Sequence, residues 1–222
     1  MNVLHRILMW VLGIKDVSLI LIGMSNVGKS HWAPLMQAFG YRRVCIDDEI
    51  EERLGPYLIE HGYRGIQDIS KWMGQPYEPQ YPANSALYLK YEKREMWKVV
   101  WRILNGEKLV VDTTGSVIYT GWFLLFILRL IAQVVLLDAP ESHQDELYRK
   151  YIEEPNPVLW GDNAYAPITK EKPMEALARC YPNLLKTRNK RYRKLVRVTL
   201  GYFELRAPSY TSSDFLDRAL GR

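Results

Sequence analysis

The sequence is poor in cysteine. Its 222 residues include only Cys45 and Cys180, which lie far apart, outside any C-x-x-C pair and with no histidine nearby. A disulfide-stapled scaffold and a structural zinc site both need clustered ligands, so this spacing argues against each of them. Two dispersed thiols fit a reducing compartment, and we expect a cytoplasmic protein.

The chain also lacks an apolar run long enough to cross a membrane. The longest run, 121–137, reads GWFLLFILRLIAQVVLL, which is shorter than the roughly 20 residues of a membrane-spanning helix. Arg129 and Gln133 interrupt it, and we expect a helix over 122–131 followed by a strand over 134–137. Because that helix is apolar nearly all round, we expect it to pack on the N-terminus, a partner chain or a membrane surface.

No small-residue cleavage site follows the apolar N-terminus, so these residues do not match a signal peptide. We predict an amphipathic helix over 1–16 that caps the core or lies on a membrane surface. The chain has no internal repeats, and with 48% hydrophobic residues it can form one domain over 17–222. A net charge of +5 favours anionic ligands, which include nucleotides, nucleic acid and anionic lipid. The sequence does not specify the oligomeric state.

A glycine-bounded loop is the most informative motif that is present. Residues 23–30 read GMSNVGKS, which matches G-x-x-x-x-G-K-[ST], and they lie between the apolar run 18–22 and a helical pattern over 30–39. A strand, a loop and a helix in this order are the context in which the motif binds a nucleoside triphosphate. Amide groups of the loop would hold the phosphates, and the helix would direct its positive end at them.

The fixed positions of this phosphate loop predict ATP and Mg²⁺ as cofactors. In this motif the lysine, Lys29, reaches the β- and γ-phosphates, and the hydroxyl of Ser30 ligates Mg²⁺. The other residues that we assign to the nucleotide are Gly23, Ser25, Asn26, Val27, Gly28, His31 and Arg149.

Two further apolar segments lead into carboxylates. A predicted strand over 43–46 precedes Asp47, and a predicted strand over 109–111 precedes Asp112. Because parallel strands end at one edge of a sheet, both carboxylates should lie beside the phosphate loop. We expect Asp47 to hold or deprotonate a substrate hydroxyl and Asp112 to support Mg²⁺. The acidic start of a helix would also account for Asp47.

The phosphoryl acceptor is expected between two irregular segments. Glycine, proline and aromatic residues are dense within 53–84, which predicts an inserted substrate lobe, and the loop over 153–173 is long enough to be a lid. Aromatic residues in such a lobe are also typical of its core. The substrate-binding candidates besides Asp47 are Trp72, Gln75, Tyr77, Thr113, Thr114 and Gly115.

Together these motifs resemble the shikimate kinase family of P-loop small-molecule kinases, over about residues 17–200. The likeness is carried by GMSNVGKS, IDDEIEERLG, VVLLDAP, TTGSV where the family has GGGSV, and LLKTRNKRY, in which an arginine precedes a tyrosine by four residues. The resemblance implies an α/β fold, namely a P-loop NTPase three-layer sandwich with a central parallel five-stranded sheet, a substrate lobe and a lid.

The resemblance also implies roles for individual residues. It assigns Asp47 to the substrate hydroxyls, Gly115 to a substrate-binding turn, and Arg188 to the space between substrate and nucleotide. With the motif analysis above, it leads us to expect catalysis by Lys29, Asp47, Asp112 and Arg188.

The chain departs from the family pattern at three places. Cys45 stands where the family has the first aspartate of a D-x-D pair, so Mg²⁺ depends on Asp112 instead. Leu89 or Glu92 stands where the family has an arginine for the substrate carboxylate, and the lid sequence PNPVLWGD lacks the family's arginine. Arginine pairing is the main source of affinity for a carboxylate. The acceptor need not be shikimate.

We therefore expect an ATP-dependent kinase that phosphorylates a hydroxyl of a small polar metabolite. One alternative is a nucleotide or polynucleotide kinase, in which the basic stretch 186–197 would hold an acceptor phosphate. A second alternative is a non-catalytic nucleotide-binding protein that docks through the apolar helix at 122–131 and the N-terminus. Nucleic acid is not an expected partner.

Overall fold

The computed structural model describes residues 11, 13, 16–63, 65–153 and 157–222. The helix predicted over 1–16 therefore lies almost entirely outside the described residues. Within the described part of the chain, no helix combines the length and the apolar character that crossing a bilayer requires.

Five parallel strands form one sheet in the order β2-β3-β1-β4-β5. Strands β1 and β3 are buried along their whole length, which explains why they are continuous apolar runs. The bounds are β1 (Ser18–Ile22), β2 (Arg42–Cys45), β3 (Leu109–Asp112), β4 (Ala132–Asp138) and β5 (Val198–Gly201).

Helices connect the strands and flank the sheet. They are α1 (Lys29–Leu35), α2 (Ile46–Glu60), α3 (Gly65–Met73), α4 (Tyr81–Leu104), α5 (Trp122–Ile131), α6 (Gln144–Glu153), α7 (Pro173–Leu195) and α8 (Ser212–Leu220). Helix α1 packs against α8, while α4 packs against α2 and α5, and α5 packs against α7. Short 3-10 turns follow α1 and precede α5, α6 and α8.

The sheet and its flanking helices confirm the predicted α/β fold class. The apolar stretch 121–137 divides as predicted, into helix α5 and strand β4. Strand β4 begins at Ala132 rather than at residue 134, because Ala132 and Gln133 pair with Ser18 and Leu19 of β1. Strand β2 ends one residue earlier than predicted, and Ile46 begins α2. The division of the chain into a substrate lobe over 53–84 and a lid over 153–173 stays a prediction.

The register of the sheet places the three motif segments together. Asp112, the last residue of β3, lies level with Leu21 of β1 on one side and with Cys45 of β2 on the other. The phosphate loop therefore leaves β1 next to the ends of β2 and β3. In open α/β sheets this carboxyl edge is where ligands bind.

Candidate functional site

The phosphate loop depends on its two glycines. Gly23 has a φ of +148°, and a Cβ at this position would lie 2.4 Å from the carbonyl oxygen of Leu137. Gly28 has a φ of +111° in the left-handed region and caps the N-terminus of α1. Asn26, between them, is also left-handed, with a φ of 64°. A chain that turns this tightly before a helix leaves backbone amides available to an anion.

Lys29 is buried at the start of α1, with 6% of its surface exposed. Its ammonium donates to the carbonyl oxygens of Gly23 at 3.2 Å and Met24 at 2.8 Å. Burial lowers the pKa of Lys29, whereas the carboxylates of Asp112 and Asp47 oppose that shift. The charge of Lys29 therefore interacts both with the carbonyl oxygens of the loop and with the carboxylates of Asp112 and Asp47.

An open cleft of about 250 Å³ joins the loop to the strand ends. It brings together eight of the residues that the sequence assigned to nucleotide, metal and acceptor, namely Ser25, Asn26, Lys29, Ser30, Asp47, Asp112, Thr114 and Gly115. Its lining residues are Ser25, Asn26, Lys29, Ser30, Arg43, Cys45, Asp47, Asp48, Asp112, Thr114, Gly115 and Pro157.

Asp112 and Ser30 have the donor atoms that Mg²⁺ prefers. Asp112 is 2% exposed, and its buried Oδ2 has no hydrogen-bond partner among the described residues. Such an orphaned carboxylate oxygen needs a cation or water. Within the described ranges, no cluster of three or more histidine, cysteine, aspartate or glutamate side chains could hold a metal by itself. One carboxylate and one hydroxyl fit Mg²⁺, which usually completes its shell with water and phosphate.

Asp47 lies in the first turn of α2 and lines the cleft. Its Oδ1 accepts a hydrogen bond of 2.9 Å from the hydroxyl of Tyr88 in α4. Burial raises the pKa of Asp47 to about 6, even though the hydrogen bond from Tyr88 and the charge of Lys29 lower it. A carboxyl group with this pKa is mostly ionised near neutrality and close to the optimum for accepting a proton.

Hydrogen bonds to Glu92 of α4 hold the turn after β3 in place. Glu92 is fully buried and accepts hydrogen bonds from the hydroxyls of Thr114 and Ser116, the latter at 2.8 Å. Burial raises the pKa of Glu92 to about 7, against the effect of these two hydrogen bonds. Thr113 is turned away, because its hydroxyl donates to the carbonyl of Leu21 at 2.8 Å. The structure therefore brings Thr114 to the cleft but not Thr113.

Arg188 of α7 lies behind this turn and is 4% exposed. Its Nη2 donates to the carbonyl oxygen of Leu159 at 2.6 Å, whereas its buried Nε has no partner among the described residues. A Cβ on Gly115 would lie 3.2 Å from Nη1 of Arg188. The glycine therefore lets the chain pass close to the guanidinium, which keeps donor capacity for an anion.

The part of the predicted lid that follows residue 156 is packed onto the rest of the chain. Val158, Leu159 and Trp160 are all buried. The hydroxyl of Tyr81 donates to the carbonyl of Val158 at 3.1 Å and accepts from the amide of Trp160 at 2.6 Å. This segment thereby holds Leu159 over Arg188.

Besides Thr113, three of the predicted acceptor contacts do not line the cleft. Trp72 is buried against Tyr57, with ring centroids 6.2 Å apart, and Gln75 accepts a hydrogen bond from Tyr151. Tyr77 is 37% exposed and donates to the sulfur of Met174. The aromatic pattern identified a packed region at these positions rather than the wall of the cleft.

The predicted nucleotide contacts also separate into two groups. Ser25, Asn26 and Ser30 line the cleft, and Gly23 and Gly28 shape the loop beside it. Of the rest, Val27 is buried, His31 is exposed and packs against Trp32, and Arg149 is exposed and lies 3.9 Å from Glu153. These last three do not line the cleft.

Sequence reasoning missed Arg43 and Pro157, which line the cleft, and two side chains outside its lining, Tyr88 and Arg206. Tyr88 lies one helical turn before Glu92, and this spacing of four residues could have placed both on one face of α4. Arg206 follows β5, where its Nη1 donates to the carbonyl oxygens of Val27 at 3.4 Å and Tyr202 at 3.3 Å. No sequence motif marks Arg206.

The chain has the fold of shikimate kinases. A solved structure of shikimate kinase from Bacteroides thetaiotaomicron aligns with a TM-score of 0.59 at 16% identity, over 93% of this chain and 99% of that one. Shikimate kinase from Acinetobacter baumannii in complex with shikimate gives 0.56 at 21% identity, over 94% and 91%. The enzyme from Aquifex aeolicus gives 0.55 at 17% identity, over 92% and 97%. No family model matches the chain, and no curated protein sequence matches it.

Proposed function

We propose that the protein transfers the γ-phosphoryl group of ATP to a hydroxyl of a small polar metabolite. The observation that carries this proposal is the convergence of the phosphate loop, Lys29, Asp112 and Asp47 on one cleft at the carboxyl edge of the sheet. The loop and Lys29 supply the phosphate-binding half, and Asp47 supplies a proton acceptor on the opposite side.

The transfer step uses these residues in fixed roles. The acceptor oxygen forms a bond to the γ-phosphorus, the bond to the β–γ bridging oxygen breaks, and ADP leaves with that oxygen. Asp47 receives the hydroxyl proton, while Lys29, the loop amides and Arg188 stabilise the charge on the transferring group. Mg²⁺, held by Ser30 and Asp112, would neutralise charge on the phosphates when bound.

The charges of the cleft favour an acceptor without a carboxylate. Three carboxylates, Asp47, Asp48 and Asp112, line it, and Arg43 is 3.6 Å from Asp48 and so engaged with it. Glu92 places a further acidic group directly behind Thr114. An anionic acceptor would meet like charge here, whereas a neutral polyol or a hydroxylated amine would not.

An acceptor screen tests this proposal. ADP release would be measured with the full chain, Mg²⁺ and ATP over polyols, cyclitols, neutral sugars, amino sugars, nucleosides and hydroxy acids that include shikimate. We expect turnover with a neutral or cationic polyol well above the rate without acceptor. Turnover with a hydroxy acid alone would overturn the acceptor class, and no acceptor-dependent turnover with any member would contradict kinase activity on such metabolites.

The basic stretch near the end of α7 does not favour a polynucleotide acceptor. Arg191 is paired with Asp162, and Arg193 is paired with Asp138, so part of its charge is already neutralised. The carboxylate of Asp47, opposite the phosphate loop, would also repel an acceptor phosphate. A polynucleotide acceptor therefore fits this site less well than a small neutral one.

A further inference from the structure

The outer side of α4 and α5 carries an exposed surface of large apolar side chains, which we call the aromatic face. The exposed fractions are 79% for Trp122 and 68% for Trp101. Its members are Trp97, Trp101, Leu104, Trp122, Phe123 and Phe126.

The two helices contribute to one continuous surface. Helices α4 and α5 pack side by side, and the rings of Trp97 and Phe123 lie 6.2 Å apart across their contact. The rings of Trp122 and Phe123 lie 5.7 Å apart. With roughly 200 Å² for each aromatic side chain, the exposed fractions amount to about 600 Å² of aromatic surface. That is at the upper end of the largest patches that monomers expose, and such patches mark interaction sites.

Unpaired cations border the aromatic face. Lys90 and Arg94 precede Trp97 and Trp101 at steps of three and four residues, so they share one stripe of α4. Arg129 lies at the last turn of α5, and Lys93 lies beside Arg94. All four are exposed, and none forms an ion pair with another residue of the described ranges.

No exposed acid balances these cations on the two helices. The acids of α4 are Glu92 and Glu95, which are 0% and 2% exposed, and Glu95 is paired with Arg53 and Lys98. Helix α5 contains no acid. Apart from the paired side chains, the surface is therefore apolar at its centre and positive at its border.

We propose that the aromatic face docks on the surface of an anionic lipid bilayer. Tryptophan prefers the boundary between headgroups and acyl chains, and cations beside it interact with anionic headgroups. A second copy of the chain is a poorer occupant, because a twofold contact would bring the unpaired cations of both copies together without an acid to meet them. The N-terminal segment is also a poorer one, since MNVLHRILMW has no acid and adds a further cation, Arg6.

Vesicle sedimentation with the full chain tests this proposal. The probes are vesicles of phosphatidylcholine alone and of phosphatidylcholine with about one-third phosphatidylserine. We expect the chain to sediment with the anionic vesicles, and the bound fraction to fall as salt is raised. The double variant Trp101→Ser/Trp122→Ser should lose at least about tenfold in partitioning, since it removes the most exposed apolar groups.

Charge variants and a matched control separate the contributions. Arg94→Ala and Arg129→Ala should each weaken binding to anionic vesicles about fivefold and leave binding to neutral vesicles unchanged. Phe203→Ser removes an aromatic side chain that is 65% exposed but lies after β5, away from the aromatic face, and it should bind as the natural chain does. Circular dichroism of each variant reports whether the fold is retained.

Three results would overturn the proposal. The first is no sedimentation with anionic vesicles. The second is unchanged vesicle binding by the folded Trp101→Ser/Trp122→Ser variant. If a chain without residues 1–15 then failed to bind, the N-terminal segment and not the aromatic face would be the membrane contact. The third is a concentration-dependent dimer in sedimentation velocity that the double variant dissociates while vesicle binding is absent, which would assign the aromatic face to a second copy.

Discussion

The two halves of the cleft are built in different ways. On the phosphate side, the residues come from one continuous segment, 23–30, whose backbone turns and whose helix follow directly from the sequence. On the acceptor side, Asp47 is positioned by Tyr88, and Thr114 is positioned by Glu92, so α2, α4 and the turn after β3 must meet. A local motif thus specifies one half, and long-range packing specifies the other.

The largest effect should come from removing the positive charge of Lys29 on the phosphate side of the cleft. Lys29→Ala should lower kcat/KM by about 10³-fold with every acceptor, because in the proposed reaction the lysine contacts the transferring group whichever acceptor is bound. Calorimetry with Mg-ATP should show weakened nucleotide binding as well. Lys186→Ala, which removes an exposed lysine of α7, serves as the control and should retain both properties.

A smaller effect should follow from the acceptor side. Asp47→Asn should lower kcat by about 10²-fold while nucleotide binding, measured by calorimetry, stays close to that of the natural chain. In the natural chain the rate should fall tenfold per unit below pH 6, because protonation of Asp47, whose pKa is about 6, removes the base. Loss of ATP binding in Asp47→Asn would contradict the separation of the two halves.

Glu92 should affect stability and acceptor affinity more than nucleotide binding. The pKa of Glu92 in the folded chain, about 7, lies above its ordinary value of 4.5. The contribution of Glu92 to the free energy of unfolding is therefore fully present below about pH 4.5 and is lost as the pH rises through 7. This contribution is about 3 kcal/mol at most. Glu92→Gln should flatten the dependence of unfolding free energy on pH in this window. Denaturant titrations at pH 5 and pH 7.5 measure the unfolding free energy. If the difference between the two pH values were the same in Glu92→Gln as in the natural chain, this role of Glu92 would be excluded.

The smallest expected effect is a shift in the pH profile. Tyr88→Phe removes a hydrogen bond that lowers the pKa of Asp47. The acid limb of kcat/KM should therefore move to higher pH, by about half a unit, as expected when one hydrogen bond to the charged form is lost. A simple loss of packing would lower the rate at every pH and leave the limb in place.

The same contrast explains how far the sequence could be interpreted. The phosphate loop, the order of strands and helices along the chain, and the division of 121–137 into a helix and a strand all depend on neighbours in the chain. The structure confirms the fold that they predict. The assignment of Trp72 and Tyr77 to the acceptor rests on their place in the predicted substrate lobe over 53–84. Aromatic residues also build packed regions, and no local pattern distinguishes these from a binding site.

The role of Glu92 could be found only in part. The sequence showed that either Leu89 or Glu92 stands where the shikimate kinase family has an arginine for the substrate carboxylate. The sequence could not show that both carboxylate oxygens of Glu92 accept hydrogen bonds from the turn after β3. The donors, Thr114 and Ser116, lie 22 and 24 positions after Glu92 in the chain. Burial of a carboxylate is decided by such tertiary contacts, which periodicity along one helix does not reveal.

The carbonyl oxygen of Leu21 has a consequence for both halves. It accepts from the amide of Thr113 at 3.3 Å and from the hydroxyl of Thr113 at 2.8 Å, so the end of β1 and the turn after β3 share one anchor. The phosphate loop follows β1 and Asp47 follows β2, so in the proposed reaction the gap across which a phosphoryl group would travel spans β1, β3 and β2. A fixed spacing of this kind would select acceptors by their length. The hydroxyl of a molecule that is too long or too short could not lie in line with the phosphorus–oxygen bond that breaks.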